Sequence, residues 1–280
     1  MSDPFQPGLP REIAPGVVRI VAPNAGLLTG PGTNTYLVGG AELAVIDPGP
    51  ADAGHVEAVI AAGGGRIAWI LVSHTHADHS PAARMLRECT GATVVGRRAP
   101  DARGHDQRFR PDAEPADGER VLLDGAALRC VATPGHASNH ICFVLEGAGI
   151  LFTGDHILGH VSPVIVPPDG DMTNYLESLA RLKNLDARLI APGHGPVLKQ
   201  PARVIAGLVA HRLDRESRVR GALAAAGSAT VQDLVPAVYQ DVDSTLHGLA
   251  AHTLLAHLLK LERDGRATRR GEDAWTGLEP

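Results

Sequence analysis

The segment Leu71-Val-Ser-His-Thr-His-Ala-Asp-His79 joins a short apolar run to three histidines and an aspartate. Side chains two positions apart on an extended segment share a face, so His74 and His76 can both bind one ion. Asp78 and His79 follow where the chain turns toward a helix, and they can serve a second ion. Imidazole nitrogens and a carboxylate oxygen suit zinc, with manganese and iron as alternatives. This density of ligand types indicates a metal site rather than isolated surface histidines.

Further segments have the same form, an apolar strand that ends in a glycine turn with a ligand-type residue. They are Val131-Ala-Thr-Pro-Gly-His136, Leu151-Phe-Thr-Gly-Asp155 and Ile190-Ala-Pro-Gly-His194. Glycine beside a ligand lets the backbone approach a crowded centre closely. With the first segment, these turns supply seven candidate ligands: His74, His76, Asp78, His79, His136, Asp155 and His194.

Short apolar runs alternate with turns and helical stretches from Val17 to about Gly195, which predicts an α/β fold. Strands are expected at 17–21, 34–38, 43–47, 68–73, 92–95, 127–132, 141–145, 150–153 and 189–191, and helices at 51–62, 81–88 and 174–182. The stretch from Arg97 to Arg120 has no periodicity and is predicted to be a long loop, which is arginine-rich at first and then acidic.

The pattern changes after Pro201, where apolar residues spaced three and four apart predict helices at 204–223, 231–238 and 249–261. A turn and a basic arm at 263–270 follow. Three helices with a small wing suggest a winged-helix-like module. We therefore expect two domains, a catalytic domain at 1–200 and a C-terminal module at 201–280.

Bulk composition argues against several kinds of partner. The net charge of the 280 residues is -5 and aromatic residues make up 3%, so neither a basic surface nor stacking platforms favour nucleic acid. The N-terminal stretch lacks the features of a signal peptide, and no apolar run reaches membrane-spanning length. These features predict a cytoplasmic protein that binds no membrane and no DNA. Its oligomeric state stays open.

The four turn motifs resemble those of the metallo-β-lactamase superfamily, because HTHADH, TPGH, FTGD and APGH occur in the family's order and at its approximate spacings. The resemblance implies a four-layer αβ/βα sandwich with the site at one edge of two facing sheets. It also implies two zinc ions per chain: His74, His76 and His136 on one, Asp78, His79 and His194 on the other, and Asp155 between them. Asp47 matches a position that supports such a centre, although a plain turn aspartate is an equal interpretation.

A closer resemblance, to the beta-lactamase-like protein 2 branch, extends over nearly the whole chain. It is carried by the segments Gly30-Pro-Gly-Thr-Asn-Thr-Tyr-Leu-Val38, Gly154-Asp-His-Ile-Leu-Gly159, Gly170-Asp-Met-Thr-Asn-Tyr175 and His211-Arg-Leu-Asp-Arg-Glu216. Members of that branch are described as endoribonucleases on single-stranded RNA, while bacterial and polyketide-associated relatives resemble thioesterases. The resemblance therefore leaves two substrate classes open.

We expect an enzyme, a dinuclear zinc-dependent hydrolase that attacks with a metal-bound hydroxide. Asp78 is a candidate for handling a proton of the attacking water, although a ligand role alone would explain this residue. From Pro201 onward there are ten Lys and Arg and ten Asp and Glu, so the C-terminal part offers no basic groove for RNA. This balance favours a small acyl substrate, a thioester, ester or lactone, over the alternative of single-stranded RNA. A DNA-binding ligand sensor is a third hypothesis, which the complete ligand set opposes.

Weaker signals come from residues near these motifs. His140, His156 and His160 are candidates for substrate contact or for hydrogen-bonding support, and Tyr175 for stabilising an oxyanion or for packing. His211 and Arg212 are candidates for binding substrate, with a salt link on the helix surface among Arg212, Arg215 and Glu216 as the alternative.

Overall fold

The protein is described here by a computed structural model that covers residues 3–271 and 273–278. Two compact units are distinguished by their packing. The first comprises the described residues through Thr133 together with Asn139–Pro163 and Asn184–Ala202, and the second comprises Pro134–Ser138, Val164–Lys183 and the described residues from Arg203 onward. The domain boundary expected after residue 200 stays a prediction, because compactness does not show which parts fold independently.

The first sheet of the first unit has six strands in sequential order. They are β1 (Arg11–Ala14), β2 (Val17–Val21), β3 (Asn34–Gly39), β4 (Leu43–Ile46), β5 (Ile67–Leu71) and β6 (Thr93–Val95). β1 to β4 pair antiparallel, and β4 to β6 pair parallel. The parallel connections pass through α1 (Ala53–Gly63) and α2 (Ala82–Thr90), as expected of strands that need a crossover.

The second sheet of this unit also has six strands, in the order β12-β11-β10-β9-β8-β7. They are β7 (Arg120–Leu123), β8 (Ala126–Ala132), β9 (Ile141–Leu145), β10 (Ile150–Gly154), β11 (Leu189–Pro192) and β12 (Leu198–Lys199). β10 and β11 are parallel, with α3 (Met172–Lys183) between them in the chain. Their carboxyl ends therefore meet at one sheet edge.

Two apolar clusters explain the layering of the first unit. One lies between the sheets and includes Tyr36, Leu71, Phe143 and Phe152. The other joins the outer face of the first sheet to α1 and α2. Strands β3, β4, β9 and β10 are almost completely buried, as befits strands covered on both faces.

The C-terminal part of the second unit is built from helices and a three-stranded sheet of order β13-β15-β14. Its elements are α4 (Pro201–Ala226), β13 (Ala229–Thr230), α5 (Val231–Val238), a short 3-10 helix (Ser244–Leu246), α6 (His247–Arg263), β14 (Ala267–Arg270) and β15 (Ala274–Gly277). Thr230 and Asp233 form a capping box at the start of α5. Leu234, Leu254, Leu258 and Trp275 belong to a single apolar core.

The predicted strands and helices are confirmed, with shifts of a few residues at their ends. The prediction missed β1, β7, β12, β13 and β15. These strands are short and lie at or next to a sheet edge, and β7 alternates exposed and buried residues, so the apolar signal is weak. From residue 96 to 119 the chain has no helix or strand, which confirms the long loop. Among the described residues, no helix is long and apolar enough to cross a membrane.

Candidate metal centre

Four of the predicted ligands converge in the first unit: Asp78, His79, Asp155 and His194 offer ligand atoms within 4.8 Å of one another. Nε2 of His79 lies 3.2 Å from Oδ1 of Asp155. Nε2 of His194 lies 3.1 Å from Oδ2 of Asp78 and 3.3 Å from Oδ1 of Asp155. The residues follow the ends of β5, β10 and β11, so strand ends bring together positions that are far apart in the chain.

These atoms fit a cation. The side chains of His79 and His194 are completely buried, and within the described residues neither Nε2 makes a hydrogen bond. Buried polar atoms without hydrogen bonds are rare because each carries a desolvation cost. A divalent cation among two imidazole nitrogens and two carboxylates would satisfy all of them, and this donor set suits zinc.

Buried hydrogen bonds orient both histidines toward this point. Nδ1 of His79 donates to Oδ2 of Asp47 at 2.9 Å, and Nδ1 of His194 donates to the Gly32 carbonyl oxygen at 3.2 Å. A proton on Nδ1 leaves Nε2 as the metal-binding nitrogen. Asp47 also accepts hydrogen bonds from the backbone N–H and hydroxyl of Ser73, both at 2.7 Å. It is therefore a supporting residue of the cluster rather than only a turn aspartate.

His74 and His76 lie next to this group. Nε2 of His74 is 2.8 Å from Nδ1 of His76, and the His74 ring centroid is 4.3 Å from that of His79. The His74 side chain is buried, and burial, followed by the neighbouring imidazoles of His79 and His76, holds its pKa well below the usual value. A neutral imidazole has a lone pair for a metal, so His74 is suited to be a ligand, and His76 lies within hydrogen-bond distance of it.

His136 belongs to the second unit, in the short segment Pro134–Ser138. Its Nδ1 donates to the carbonyl oxygen of Val164 at 2.9 Å. The histidine is therefore oriented in the same way as His79 and His194, with Nε2 as the nitrogen suited to bind a metal.

Glycines make room for the cluster. A Cβ atom at Gly193 would lie 2.6 Å from Oδ1 of Asp155 and 2.8 Å from Cε1 of His79. At Gly154 it would lie 2.4 Å from the hydroxyl oxygen of Ser73, and the backbone there has a φ of 44°. These close approaches explain why glycine precedes the ligands in the APGH and FTGD turns.

Charge is dense in this cluster. Burial lowers the pKa of His79, but the carboxylates of Asp155, Asp78 and Asp47 raise it well above the usual value. The pKa of His194 is raised to about 9, because Asp155 and Asp78 outweigh the effect of its burial. Burial raises the pKa of Asp155, but His194 and His79 hold it well below the usual value. In the metal-free protein the carboxylates are therefore paired with imidazolium groups, and a bound cation takes the place of those protons.

The structure also shows the burial of the residues that gave weaker signals in the sequence. His140 and His156 are completely buried, whereas His160 is exposed. Tyr175 is completely buried, and the guanidinium carbon of Arg212 lies 5.1 Å from its ring centroid.

The alternative of a salt link on the helix surface is wrong. Arg212, Arg215 and Glu216 are 3%, 4% and 7% exposed. Arg215 pairs instead with Asp241, at 2.8 Å, and Glu216 pairs with Lys260, at 3.0 Å. The partners come from other elements, since tertiary packing places them there.

Sequence reasoning missed His105 and Asn139. The ring centroid of His105 lies 4.5 Å from that of His76, and its Nδ1 is 2.8 Å from the hydroxyl oxygen of Thr75. Asn139 donates to the same hydroxyl oxygen at 2.8 Å. His105 lies in the loop that has no periodicity, and no local pattern distinguishes it from an ordinary surface histidine.

The two buried cysteines offer no nucleophile. Burial raises the pKa of Cys130 and of Cys142 to about 12, so both remain thiols near neutrality. Cys89 is exposed. Neither buried cysteine therefore supplies a thiolate nucleophile.

The chain belongs to the metallo-beta-lactamase superfamily, whose family model matches residues 28–194. That range contains all seven predicted ligands. A second family model, the beta-lactamase associated winged helix domain, matches residues 230–275. These matches confirm the fold class predicted from the turn motifs, with a C-terminal winged helix. They also confirm that the protein is a metal-dependent hydrolase.

Particular relatives resemble the chain over nearly its whole length. The atrochrysone carboxyl ACP thioesterase AgnL7 of Paecilomyces divaricatus is 32% identical, over 97% of this chain and 89% of the relative. The beta-lactamase-like protein 2 homolog of Caenorhabditis elegans is 31% identical, over 91% and 86%. A metallo-beta-lactamase family protein of Thermus thermophilus shares the fold, with a TM-score of 0.80 and 23% identity, over 95% of this chain and 100% of that protein.

Proposed function

We propose that the protein is a dinuclear zinc hydrolase of a small acyl substrate, and that a thioester is its leading substrate class. The observation that carries the metal centre is the convergence of two buried Nε2 atoms and two carboxylates at Asp78, His79, Asp155 and His194. The substrate class is supported by the relative named as an ACP thioesterase, which is similar over 97% of this chain.

In this proposal His74, His76 and His136 would hold one zinc ion, Asp78, His79 and His194 would hold the other, and Asp155 would be a ligand shared by the two. Two zinc ions supply an activated water and polarise the oxygen of the bond to be cleaved. Asp47 and the Gly32 carbonyl keep Nε2 of His79 and of His194 directed into the centre. Because these supports are buried, the ligands need little reorganisation when metal binds.

Asp78 is the ligand suited to move a proton. Its side chain is 26% exposed, whereas that of Asp155 is 12% exposed. Burial raises the pKa of Asp78, but His79 and His194 lower it below the usual value, so the group is a carboxylate near neutrality. A carboxylate with partial access to solvent can accept a proton and pass it to water.

The test is a side-by-side panel with zinc-loaded protein: an acyl thioester, a lactone, a cephalosporin and a single-stranded RNA. We expect thioester hydrolysis, near two zinc ions per chain, and loss of hydrolysis in Asp78→Ala. Activity that persists in protein freed of all metal would overturn the metal mechanism. RNA cleavage that disappears in Asp78→Ala, without thioester hydrolysis, would replace the acyl substrate by RNA.

A further inference from the structure

A backbone carbonyl group orients the His136 side chain. Its Nδ1 lies 2.9 Å from the carbonyl oxygen of Val164. A carbonyl oxygen only accepts hydrogen bonds, so Nδ1 must carry a hydrogen and the lone pair of the neutral ring is on Nε2. The position of the Val164 carbonyl therefore decides which nitrogen of His136 can bind a metal and where it points.

The peptide group that contains this carbonyl is itself anchored by α6. The N–H of Ile165 donates to Oγ1 of Thr253 at 3.2 Å. The Val164 carbonyl and the Ile165 N–H belong to one planar amide, so fixing the N–H also fixes the direction of the carbonyl. Thr253 is only 5% exposed, which protects this hydrogen bond from competition by water.

Further hydrogen bonds hold the segment Pro134–Ser138, which contains His136. The segment Val164–Lys183 supplies three further hydrogen bonds to Pro134–Ser138: the Asp171 N–H to the Gly135 carbonyl at 2.7 Å, the Ser178 hydroxyl to the Pro134 carbonyl at 2.8 Å, and the Ser138 N–H to the Asp169 carboxylate at 3.0 Å. The Asp171 carboxylate pairs with Arg263, the last residue of α6. Both Thr253 and Arg263 thus connect α6 to the surroundings of His136.

We propose that Thr253 is a positioning residue for His136, and that the C-terminal part of the chain thereby contributes to metal binding. The path runs from Oγ1 of Thr253 through the Val164–Ile165 amide to Nδ1 of His136. Consecutive hydrogen bonds polarise one another, so Thr253 also strengthens the hydrogen bond from Nδ1 of His136 to the Val164 carbonyl oxygen. This inference rests on the proposed function, because it requires His136 to be a ligand.

The test compares Thr253→Val with Thr253→Ser in the full-length chain. Valine keeps the shape of threonine but removes the acceptor, whereas serine keeps it. We expect Thr253→Val to weaken one of the two zinc sites by about 10-fold to 100-fold, the range typical of residues that orient metal ligands. Thr253→Ser should restore near wild-type affinity. Zinc affinity is measured by competition with a chelator, and the cobalt-substituted protein reports ligand geometry through its visible absorption.

The control is Thr245→Val, which removes an exposed hydroxyl that bonds only locally to Asp243. It should leave both zinc sites and the cobalt spectrum unchanged. Thermal unfolding of each variant shows whether lost affinity reflects lost folding, and equal losses in the valine and serine variants would overturn the inference.

His136→Ala separates this inference from the proposed function. If His136→Ala loses one zinc ion while Thr253→Val binds both ions as the wild type does, the ligand assignment stands and the positioning role is wrong. If His136→Ala keeps both ions with unchanged affinity, the ligand assignment itself is wrong.

Discussion

Two regions of the molecule bury many charged groups, but they balance that charge differently. In the cluster around Asp155 and His194, carboxylates face imidazoles whose Nε2 atoms make no hydrogen bonds among the described residues. Beside α4 and α6, the charged groups pair with one another, with Arg215 at 2.8 Å from Asp241 and Lys260 at 3.0 Å from Glu216. The first cluster is balanced by histidines, which can give up a proton to a metal, whereas the second is balanced by Arg and Lys side chains, which stay protonated.

The largest difference between the regions should follow from removing one aspartate charge in each. Asp155→Asn takes away the carboxylate that lies near both His79 and His194, so we expect zinc content to fall and hydrolysis to drop by more than about 100-fold, beyond the effect of a residue that only supports a ligand. Metal analysis and initial rates measure this. Retention of two zinc ions and of activity in Asp155→Asn would contradict the ligand role.

A second difference should appear in how the stability of the metal-free protein depends on pH. The pKa of His194 is about 9 when folded, above its value near 6.5 when unfolded. A raised pKa stabilises the fold fully below the unfolded value, and that stability is lost as the pH rises through the folded value. We expect the free energy of unfolding to fall by at most about 3 kcal/mol between pH 6.5 and 9.

Zinc affinity should show the opposite pH dependence to the stability of the metal-free protein. The cation displaces protons from His79 and His194, so zinc affinity should rise with pH over the same range. Chemical denaturation with and without zinc, and calorimetry in buffers of different ionisation enthalpy, measure stability and proton release. Zinc binding at pH 7 without proton release would show that these imidazoles are already neutral.

The support at Asp47 should matter less than a direct ligand. Asp47→Asn weakens the acceptor for Nδ1 of His79, and we expect zinc affinity to fall by about 10-fold to 100-fold with the fold retained. The matched control is Asp52→Asn, at the start of α1, where the side chain accepts a hydrogen bond from the His55 N–H at 2.7 Å. Asparagine also caps helices well, so this control should keep both zinc affinity and stability. Equal zinc affinities in the two variants would make Asp47 a simple turn residue.

The smallest effect on stability is expected in the second region, where Asp241 pairs with Arg215. Asp241→Asn weakens the pair with Arg215, but the Asp241 side chain is 48% exposed and water can replace it. We expect the unfolding free energy to fall by about 1 kcal/mol or less, with unchanged zinc content. Differential scanning calorimetry and metal analysis, run beside Asp155→Asn, make the comparison. Loss of zinc in Asp241→Asn would contradict the contrast between the regions.

Local sequence was sufficient for the elements and for the ligand turns. The strands that precede His74, Asp155 and His194 are apolar runs that end in turns, and each was recognisable from a few neighbouring residues. Burial was harder to predict. Arg212, Arg215 and Glu216 have the spacing of a surface salt link, yet they are buried, because their packing partners come from segments far along the chain.

The sequence by itself determined the α/β pattern, the winged-helix-like end and the seven candidate ligands, because strand periodicity and glycine turns are local properties. The sequence left Asp47 open between a support for the centre and a plain turn residue, and it gave no sign of Gly32 or Thr253, so the tertiary structure decided which residues support those ligands. The hydrogen-bonded residues are far apart in the sequence: Asp47 and His79 by 32 positions, Gly32 and His194 by 162, and Thr253 and Ile165 by 88. Hydrogen bonds of this kind depend on how distant strands and helices pack, and no local pattern of residues encodes them.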